Sequence, residues 1–527
     1  MFLEILPLVA LTHRDLTTLT KDAHMKTFWL FSLSAVLSTF AGGFPDGHRE
    51  ALGPRYDAPP RDPIAISHGP RSLDAVRRWN EIAINASGMD HTPVQIGENR
   101  VFGEQLGPCR AARAIAIVHI AMFDTVNSVL GKYHGYAHVR SPVGPISMRA
   151  AISQAAHDTL TNLFPSQTQT FDARLAEDLA EVKNKGAKRR SVNLGKRAAA
   201  AILTLRADDG SQHPELRVGT NDTDYVMNTL PGHWRQDPVS LIPLALGAHW
   251  HECIPFVMES TDQFRTPPPP AMTSAAYAEA YNEVKRLGGD GVTTPTERTA
   301  DQTHMGIFWA YDGTPSLCAP PRLYNQIALQ IADQMGSSDL EVTRLLTLIN
   351  VAMADAGMAV WDSKYFYDVW RPVTGIREAD SGTGPTGNGD GNPDTVGDPT
   401  FLPLGAPASN LNGPNFTPPF PAYPSGHAGF GGALFQTLRR FYGTDNIAFT
   451  FMSDEFNGVT RGNDGNIRPA TPRSFTSLSQ AEEENGQSRI YLGIHWSFDK
   501  TEGIAQGKRV ADYVFDNAFQ PRQRRGH

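Results

Sequence analysis

Between Leu340 and Trp370 apolar side chains recur at i, i+3 and i+4, with no proline to break the run. A periodic stretch of that length commits the chain to one long helix, and the rest of the fold has to be built around it. The end of the run carries charge. Lys364 and Arg371 stand two helical turns apart, which predicts both side chains on one face. Pro372 follows directly and disfavours helix at Arg371, so the helix is expected to stop there. The neighbours Trp361, Phe366, Val369 and Trp370 predict that this end is buried. Buried cations need an anionic partner.

The same periodicity recurs on both sides of the long run. Segments 110–130, 148–164, 171–184, 191–207, 274–288, 297–311 and 321–336 read as helices, and helix returns at 425–442 and from Ala481 onward, interrupted near Asp499. Alternating strand patterns are scarce. The expected fold is therefore mostly α, a pair of helical bundles of which the C-terminal one carries an oxyanion site. The prolines of TPPPPAM (Thr266 to Met272) are disfavoured inside helices and strands. They place the expected boundary between an N-terminal bundle over 72–265 and a catalytic bundle over 270–520.

A formal net charge of -8, with no long basic block, argues against nucleic acid as a partner. Three cysteines in no CxxC spacing argue against a disulfide scaffold or a cysteine-rich zinc site and leave at most one bridge. Residues 1–41 read as a signal-peptide region. The apolar run after Lys26 is short and ends in small residues, with Thr39 and Ala41 at the -3 and -1 positions and Met25 as a candidate start. A secreted or periplasmic location is the expectation, and no other segment is expected to span a membrane.

Two further blocks answer the demand for an anion. In YPSGHAGFGG (Tyr423 to Gly432) proline and serine open an apolar helical pattern, and free N–H groups at a helix start suit an oxyanion. In SRIYLGIHWSFDKTEG (Ser488 to Gly503) His495 and Asp499 are four apart, so the carboxylate can fix one imidazole nitrogen as N–H and the other as a lone pair. Such a histidine is a metal ligand or a nucleophile. Lys364, Arg371 and Arg489 supply permanent positive charge, Ser425 and the Gly426 N–H supply neutral donors, and His427 and His495 supply titratable rings. Three cations around one point suit a multiply charged tetrahedral oxyanion, because charge-assisted hydrogen bonds are the strong ones.

The pattern K-x6-RP, then PSGH, then SR-x5-H resembles that of the superfamily uniting vanadium-dependent haloperoxidases with bacterial acid phosphatases and type 2 phosphatidic acid phosphatases. It is carried here by Lys364, Arg371, Pro372, Pro424, Ser425, Gly426, His427, Ser488, Arg489 and His495. The segments PPFPAYPSGHAGFGGALFQ, FWAYDG and PPRLYNQIA are similar to the vanadium chloroperoxidase branch, and the likeness is strongest over 270–515. The second and third blocks stand somewhat far apart, which reads as a loop insertion around Asn457–Thr476.

The resemblance implies vanadate as cofactor, with His495 bonding vanadium and Asp499 behind it. It implies that Lys364, Arg371, Ser425, Gly426 and Arg489 hold the oxyanion, with His427 as acid–base and Lys364 polarising peroxide. Asp312 would pair with the active-site arginines, and Trp361 and Phe420 would line a halide pocket. Hydrogen peroxide, halide and small organic acceptors would be the partners, and hypohalous acid the product. The alternative within the same superfamily is a phosphatase using His495 as nucleophile through a phosphohistidine.

Three features read as structure. His249, His251 and Cys253 in HWHEC have the i, i+2 spacing of a strand. His119 sits in an apolar helix as a core histidine. The Gly/Asp/Asn-rich stretch 380–400 lacks the glycine and glutamate of a calcium loop and reads as a solvated loop.

Overall fold

A computed structural model describes residues 48–57 and 74–522. The signal-peptide region predicted over 1–41 lies outside the described residues. Fourteen α-helices carry the described chain. They are α1 (His48–Leu52), α2 (Ala75–Asp90), α3 (Gly107–Leu130), α4 (Met148–Leu163), α5 (Thr168–Ala180), α6 (Lys185–Leu205) and α7 (Ala275–Leu287). They continue with α8 (Ala300–Phe308), α9 (Pro320–Gln334), α10 (Asp339–Tyr367), α11 (Pro372–Arg377), α12 (Gly426–Tyr442), α13 (Leu478–Tyr491) and α14 (Ser497–Asn517). Strand is confined to two antiparallel ribbons, β1 (Leu216–Arg217) with β2 (Leu244–Ala245) and β3 (Phe449–Phe451) with β4 (Arg473–Phe475).

The helix α10 is the axis. A capping box between Ser338 and Glu341 satisfies its first N–H groups, and every residue from Val342 to Lys364 is buried. A helix apolar on all faces must be wrapped on all faces, and α3 packs on it from one half of the chain, α12 and α14 from the other. Among the described residues α3 and α10 are long and apolar enough to span a bilayer, contrary to the sequence expectation, but both lie inside the protein. Their composition is that of core helices.

The long helix ends sooner than its sequence pattern. Asp368 adopts a left-handed conformation (φ 52°) and stops α10 at Tyr367. Arg371 is extended (φ -82°, ψ 156°) and caps α11. Lys364 and Arg371 therefore do not share a helix face; they approach the same place from a helix end and from the extended turn after it. Phe366, expected inside, is 60% exposed and carries the Arg265 guanidinium on its ring at 3.9 Å.

The glycines after His427 serve packing. A Cβ at Gly507 would lie 2.0 Å from the Gly429 carbonyl oxygen, and one at Gly432 would lie 2.6 Å from that of Ile504. Helices α12 and α14 thus touch backbone to backbone, which brings Asp499 to the start of α12: the Ser425 N–H donates to the Asp499 carbonyl at 2.9 Å. Gly507→Ala should cost about 1–3 kcal/mol through forced separation of the two helices.

Three sequence readings are revised in detail. His249 to Cys253 form a 3-10 turn rather than a strand. His249 and His251 turn outward to flank Glu252 at 3.6 and 3.7 Å. His119 is a core residue with Nδ1 donating to the Ile115 carbonyl, but Nε2 has no partner and burial pushes the ring down to about 4. The loop 380–400 is not solvated throughout: Asp390 and Asn392 are buried, with Asp390 accepting from the Asn392 N–H and the Thr395 hydroxyl.

Candidate active site

The end of α10, the turn before α11, the start of α12, the end of α13 and the start of α14 converge. His495 sits between α13 and α14 and is 2% exposed. Its Nδ1 donates to Asp499 Oδ2 at 2.8 Å, which leaves Nε2 as the lone-pair nitrogen. Asp499 in turn accepts from the Trp496 N–H at 2.9 Å, so the ring is held from behind by a carboxylate that is itself held. Nε2 accepts from Arg371 Nη1 at 2.9 Å.

Arg371 is almost fully buried yet faces no carboxylate at hydrogen-bond distance. Its Nε donates to the Phe420 carbonyl and its Nη1 to that of Ile494, at 2.9 and 2.8 Å, and Nη2 is buried with no partner. Arg489 donates from Nη2 to Asp312 Oδ1 at 2.6 Å, while its Nε and Nη1 are likewise buried and unpaired. Three guanidinium nitrogens on two arginines are thus left without a partner. Leaving a buried charged donor unpaired costs at least about 1–3 kcal/mol each, a penalty that an oxyanion would remove.

Lys364 is fully buried, with Nζ donating to the carbonyls of Pro421 and Ala422 at 2.8 and 2.9 Å. Two of its three N–H groups are spent there, so one remains for a ligand. Ser425 caps α12, its hydroxyl oxygen accepting from the Ala428 N–H, and the Gly426 and His427 N–H groups before it have no acceptor within the helix. His427 is buried. Its Nε2 donates to the Ala310 carbonyl, leaving Nδ1 as the ring's lone pair.

Electrostatics agree with the contacts. Burial first, then the fields of Arg371, Lys364 and Arg489, hold the His495 imidazole well below its ordinary value. His427 is lowered by burial, then by Arg489. Burial pushes Arg371 down to about 9 and drives Lys364 well below a normal lysine, with Arg371 beside it adding to the effect. It also pushes the Asp499 carboxyl up to about 7 and raises Asp312. Both histidines are therefore neutral at pH 7.

A cavity of about 70 Å³ opens on this cluster and is bordered by Asp312, Trp361, Phe420, Gly426, His427, Arg489 and His495. The Trp361 and Phe420 rings meet at 4.8 Å, and Lys364 Nζ lies 5.6 and 5.2 Å from their centroids. A Cβ at Gly426 would lie 3.2 Å from the Trp361 ring, so glycine there lets the indole close over the helix start. Every sequence-predicted site residue is in or directly beside this cluster.

Two residues that sequence reading passed over support it from behind. Tyr324 Oη and Asn485 Nδ2 both donate to the His427 carbonyl at 3.0 Å. Asn485 could have been found: it is a weak helix former within α13, one turn before Arg489 and on the same face.

The fold and the site define a mostly helical protein built around a buried cluster of cationic side chains with a carboxylate-oriented histidine among them. A model of the VCPO second helical-bundle domain matches residues 344–524. The vanadium chloroperoxidase of Curvularia inaequalis is 32% identical over 504 residues, covering 80% of this chain and 78% of its own length. The chain belongs to the vanadium chloroperoxidase family. Among solved structures, a bacterial vanadium-dependent iodoperoxidase shares the fold with a TM-score of 0.65 at 23% identity, over 87% of this chain and 100% of its own. A holo-type bacterial vanadium-dependent chloroperoxidase does so with a TM-score of 0.58 at 17% identity, over 80% and 94%.

Proposed function

We propose that this protein holds vanadate in the cradle and uses hydrogen peroxide to oxidise halide to hypohalous acid. The observation that carries the reading is the set of unpaired buried N–H groups on Arg371 and Arg489, facing a histidine whose Nε2 lone pair is fixed by Asp499. This donor set fits a tetrahedral oxyanion. Arg371, Arg489, Lys364, the Ser425 hydroxyl and the Gly426 N–H would hold its oxygens, and His495 Nε2 would bond the metal. Vanadate, when bound, supplies a Lewis-acidic centre for activating peroxide without change of oxidation state.

The remaining chemistry falls to side chains. His427, neutral with Nε2–H pinned on Ala310, offers Nδ1 to take a proton from incoming hydrogen peroxide and return it later. The spare Lys364 N–H can polarise a reacting oxygen. Asp312 keeps Arg489 aimed inward. The apolar border formed by Trp361 and Phe420 excludes water, which strengthens each of these interactions. Chloride, bromide or iodide would enter along that border, and hypohalous acid would react with small organic acceptors.

Metal-free protein reconstituted with vanadate should halogenate a dimedone-type acceptor in the presence of peroxide and bromide or chloride. Turnover of a phosphate ester with no halogenation would assign the cradle to phosphoryl transfer instead. His495→Ala should lose vanadium on desalting, and stoichiometric vanadium in that variant would remove His495 as the ligand.

A further inference from the structure

The chain is acidic as a whole, with a formal net charge of -8, yet its charge is unevenly spread. Segments 128–147 and 182–207 contain no carboxylate. Helix α6 lies in the second of them. It buries Ala187, Leu194, Gly195, Ala198 and Ile202 and packs on α4 and α3. A Cβ at Gly195 would lie 2.5 Å from the Ala151 carbonyl oxygen, so α6 sits close against α4. The opposite face of α6 carries Lys185, Arg189 and Lys196 in one row and Arg190 and Arg197 in the next, at spacings of four and seven residues. Lys185, Arg189, Lys196 and Arg197 are exposed, and Arg190 is half-buried. Glu181, the carboxylate just ahead of the helix, pairs with Arg149 at 2.8 Å.

A loop is fastened along the edge of this face. Arg190 Nε donates to the Pro145 carbonyl at 2.7 Å, and Arg197 Nη2 donates to that of Arg140 at 3.3 Å. The Ser147 N–H donates to the Ser191 hydroxyl at 2.8 Å, and the Ser141 hydroxyl donates to the Ser128 carbonyl at 2.6 Å. Between these ties stands the tip Pro142-Val143-Gly144, where Val143 is 91% exposed. Leu130, at the end of α3 and two residues from the Ser128 tie, is 44% exposed. The ties at both ends hold the apolar tip out in water beside the cations.

We propose that this face is an interaction surface for an anionic lipid bilayer, with α6 lying along the headgroups and Val143 entering the acyl boundary. Each lysine or arginine close to such a surface adds to the attraction. The attraction reaches only about 10 Å at 0.1 M salt, so the face that touches outweighs the net charge of the whole chain. A soluble polyanion would engage the cations and leave Val143 idle, whereas a lipid surface uses both. None of these residues belongs to the catalytic cluster, so lipid binding and catalysis are separable.

The test is co-sedimentation of the vanadate-loaded full chain with vesicles of phosphatidylglycerol and phosphatidylcholine in equal parts, against vesicles of phosphatidylcholine alone. The anionic vesicles should bind the protein at low salt and release it at high salt, while the neutral ones leave it in the supernatant. Arg189→Gln combined with Lys196→Gln should weaken binding about tenfold or more. Val143→Asp should weaken it about three- to tenfold. Neither change should alter vanadate affinity. Equal sedimentation with both kinds of vesicle, none with either, or undiminished binding after the Arg189 and Lys196 changes would overturn the proposal. Loss of binding after those changes with none in Val143→Asp would assign the face to a soluble polyanion, with the same consequence.

Discussion

Two pairs of buried arginines are satisfied in opposite ways. Near the end of α6, Arg113 and Arg206 both donate to Asp209, at 2.7 and 2.8 Å. Their other nitrogens reach the carbonyls of Arg206, Ile254 and Pro255, and neither residue has a buried nitrogen left unpaired. Arg371 and Arg489 are buried as deeply, and each group even lays a guanidinium over an aromatic ring, Arg206 on Phe256 and Arg371 on Phe420. Yet the second group leaves three nitrogens without a partner. Burial and charge do not separate a structural arginine from a functional one; the accounting of its donors does.

Substitution should make the difference measurable. Arg113→Met removes one of the two guanidinium groups on the buried Asp209 carboxylate, and breaking a buried pair from one side costs about 3–5 kcal/mol. The fall should appear in the denaturation midpoint, with vanadium per mole of folded protein unchanged. Arg371→Met should do the reverse. Vanadate affinity in equilibrium dialysis should fall about 10–100-fold, the worth of a charge-assisted hydrogen bond, while stability without vanadate should fall less than in Arg113→Met, because removing an uncompensated buried charge offsets the lost bonds to the Phe420 and Ile494 carbonyls. No carboxylate lies at bonding distance to be stranded. Equal stability losses in the two variants would erase the distinction.

A smaller effect tests the open group through pH. His427 and His495 are held below their ordinary value of 6.5, so an unfolded chain binds protons that the folded chain refuses. Stability carried by these rings is present above pH 6.5 and is lost as pH falls below it. Asp499, pushed up to about 7, works against this trend between its ordinary value of 3.8 and 7. An oxyanion in the cradle would offset the cations that depress His427, while a metal bond at Nε2 would keep His495 unprotonated. The loss of thermal stability from pH 6.5 to 5 should therefore be smaller with vanadate than without it. Parallel profiles would mean that no anion enters the cluster.

Most of this cluster was legible in the sequence because it rests on short-range spacing. Ser425 to His427 are consecutive, His495 and Asp499 stand one helical turn apart, and Lys364 ends a run whose apolar period is unmistakable. What spacing could not show is how the blocks meet. The left-handed Asp368 that removes Arg371 from the helix has no strong sequence signal, since aspartate adopts that conformation only occasionally. The carbonyls of Ala310, Phe420, Pro421, Ala422 and Ile494 carry no side-chain signature at all. Helix order was clear from periodicity, whereas HWHEC misled because an i, i+2 histidine pair also fits the outward face of a tight turn.

The smallest expected effect concerns the aromatic border, where the two arginine groups are most alike. Phe256 under Arg206 packs a closed ion network, and Phe420 under Arg371 also borders a cavity. The Phe420 ring lies within cation–π reach of both Lys364 and Arg371, at 5.2 and 5.0 Å, a contact of about 0.5–2 kcal/mol when desolvated. Phe420→Ala admits water beside both cations and weakens every charge interaction in the cradle. The kcat/KM for halide should fall about three- to tenfold, in proportion to about 1 kcal/mol of lost stabilisation. The fall should be steeper for chloride than for bromide, because chloride is more strongly hydrated and needs the drier site. Phe256→Ala should leave halide kinetics of the folded fraction untouched. Matching losses for both halides in Phe420→Ala would reduce that ring to packing and make the two aromatic supports equivalent.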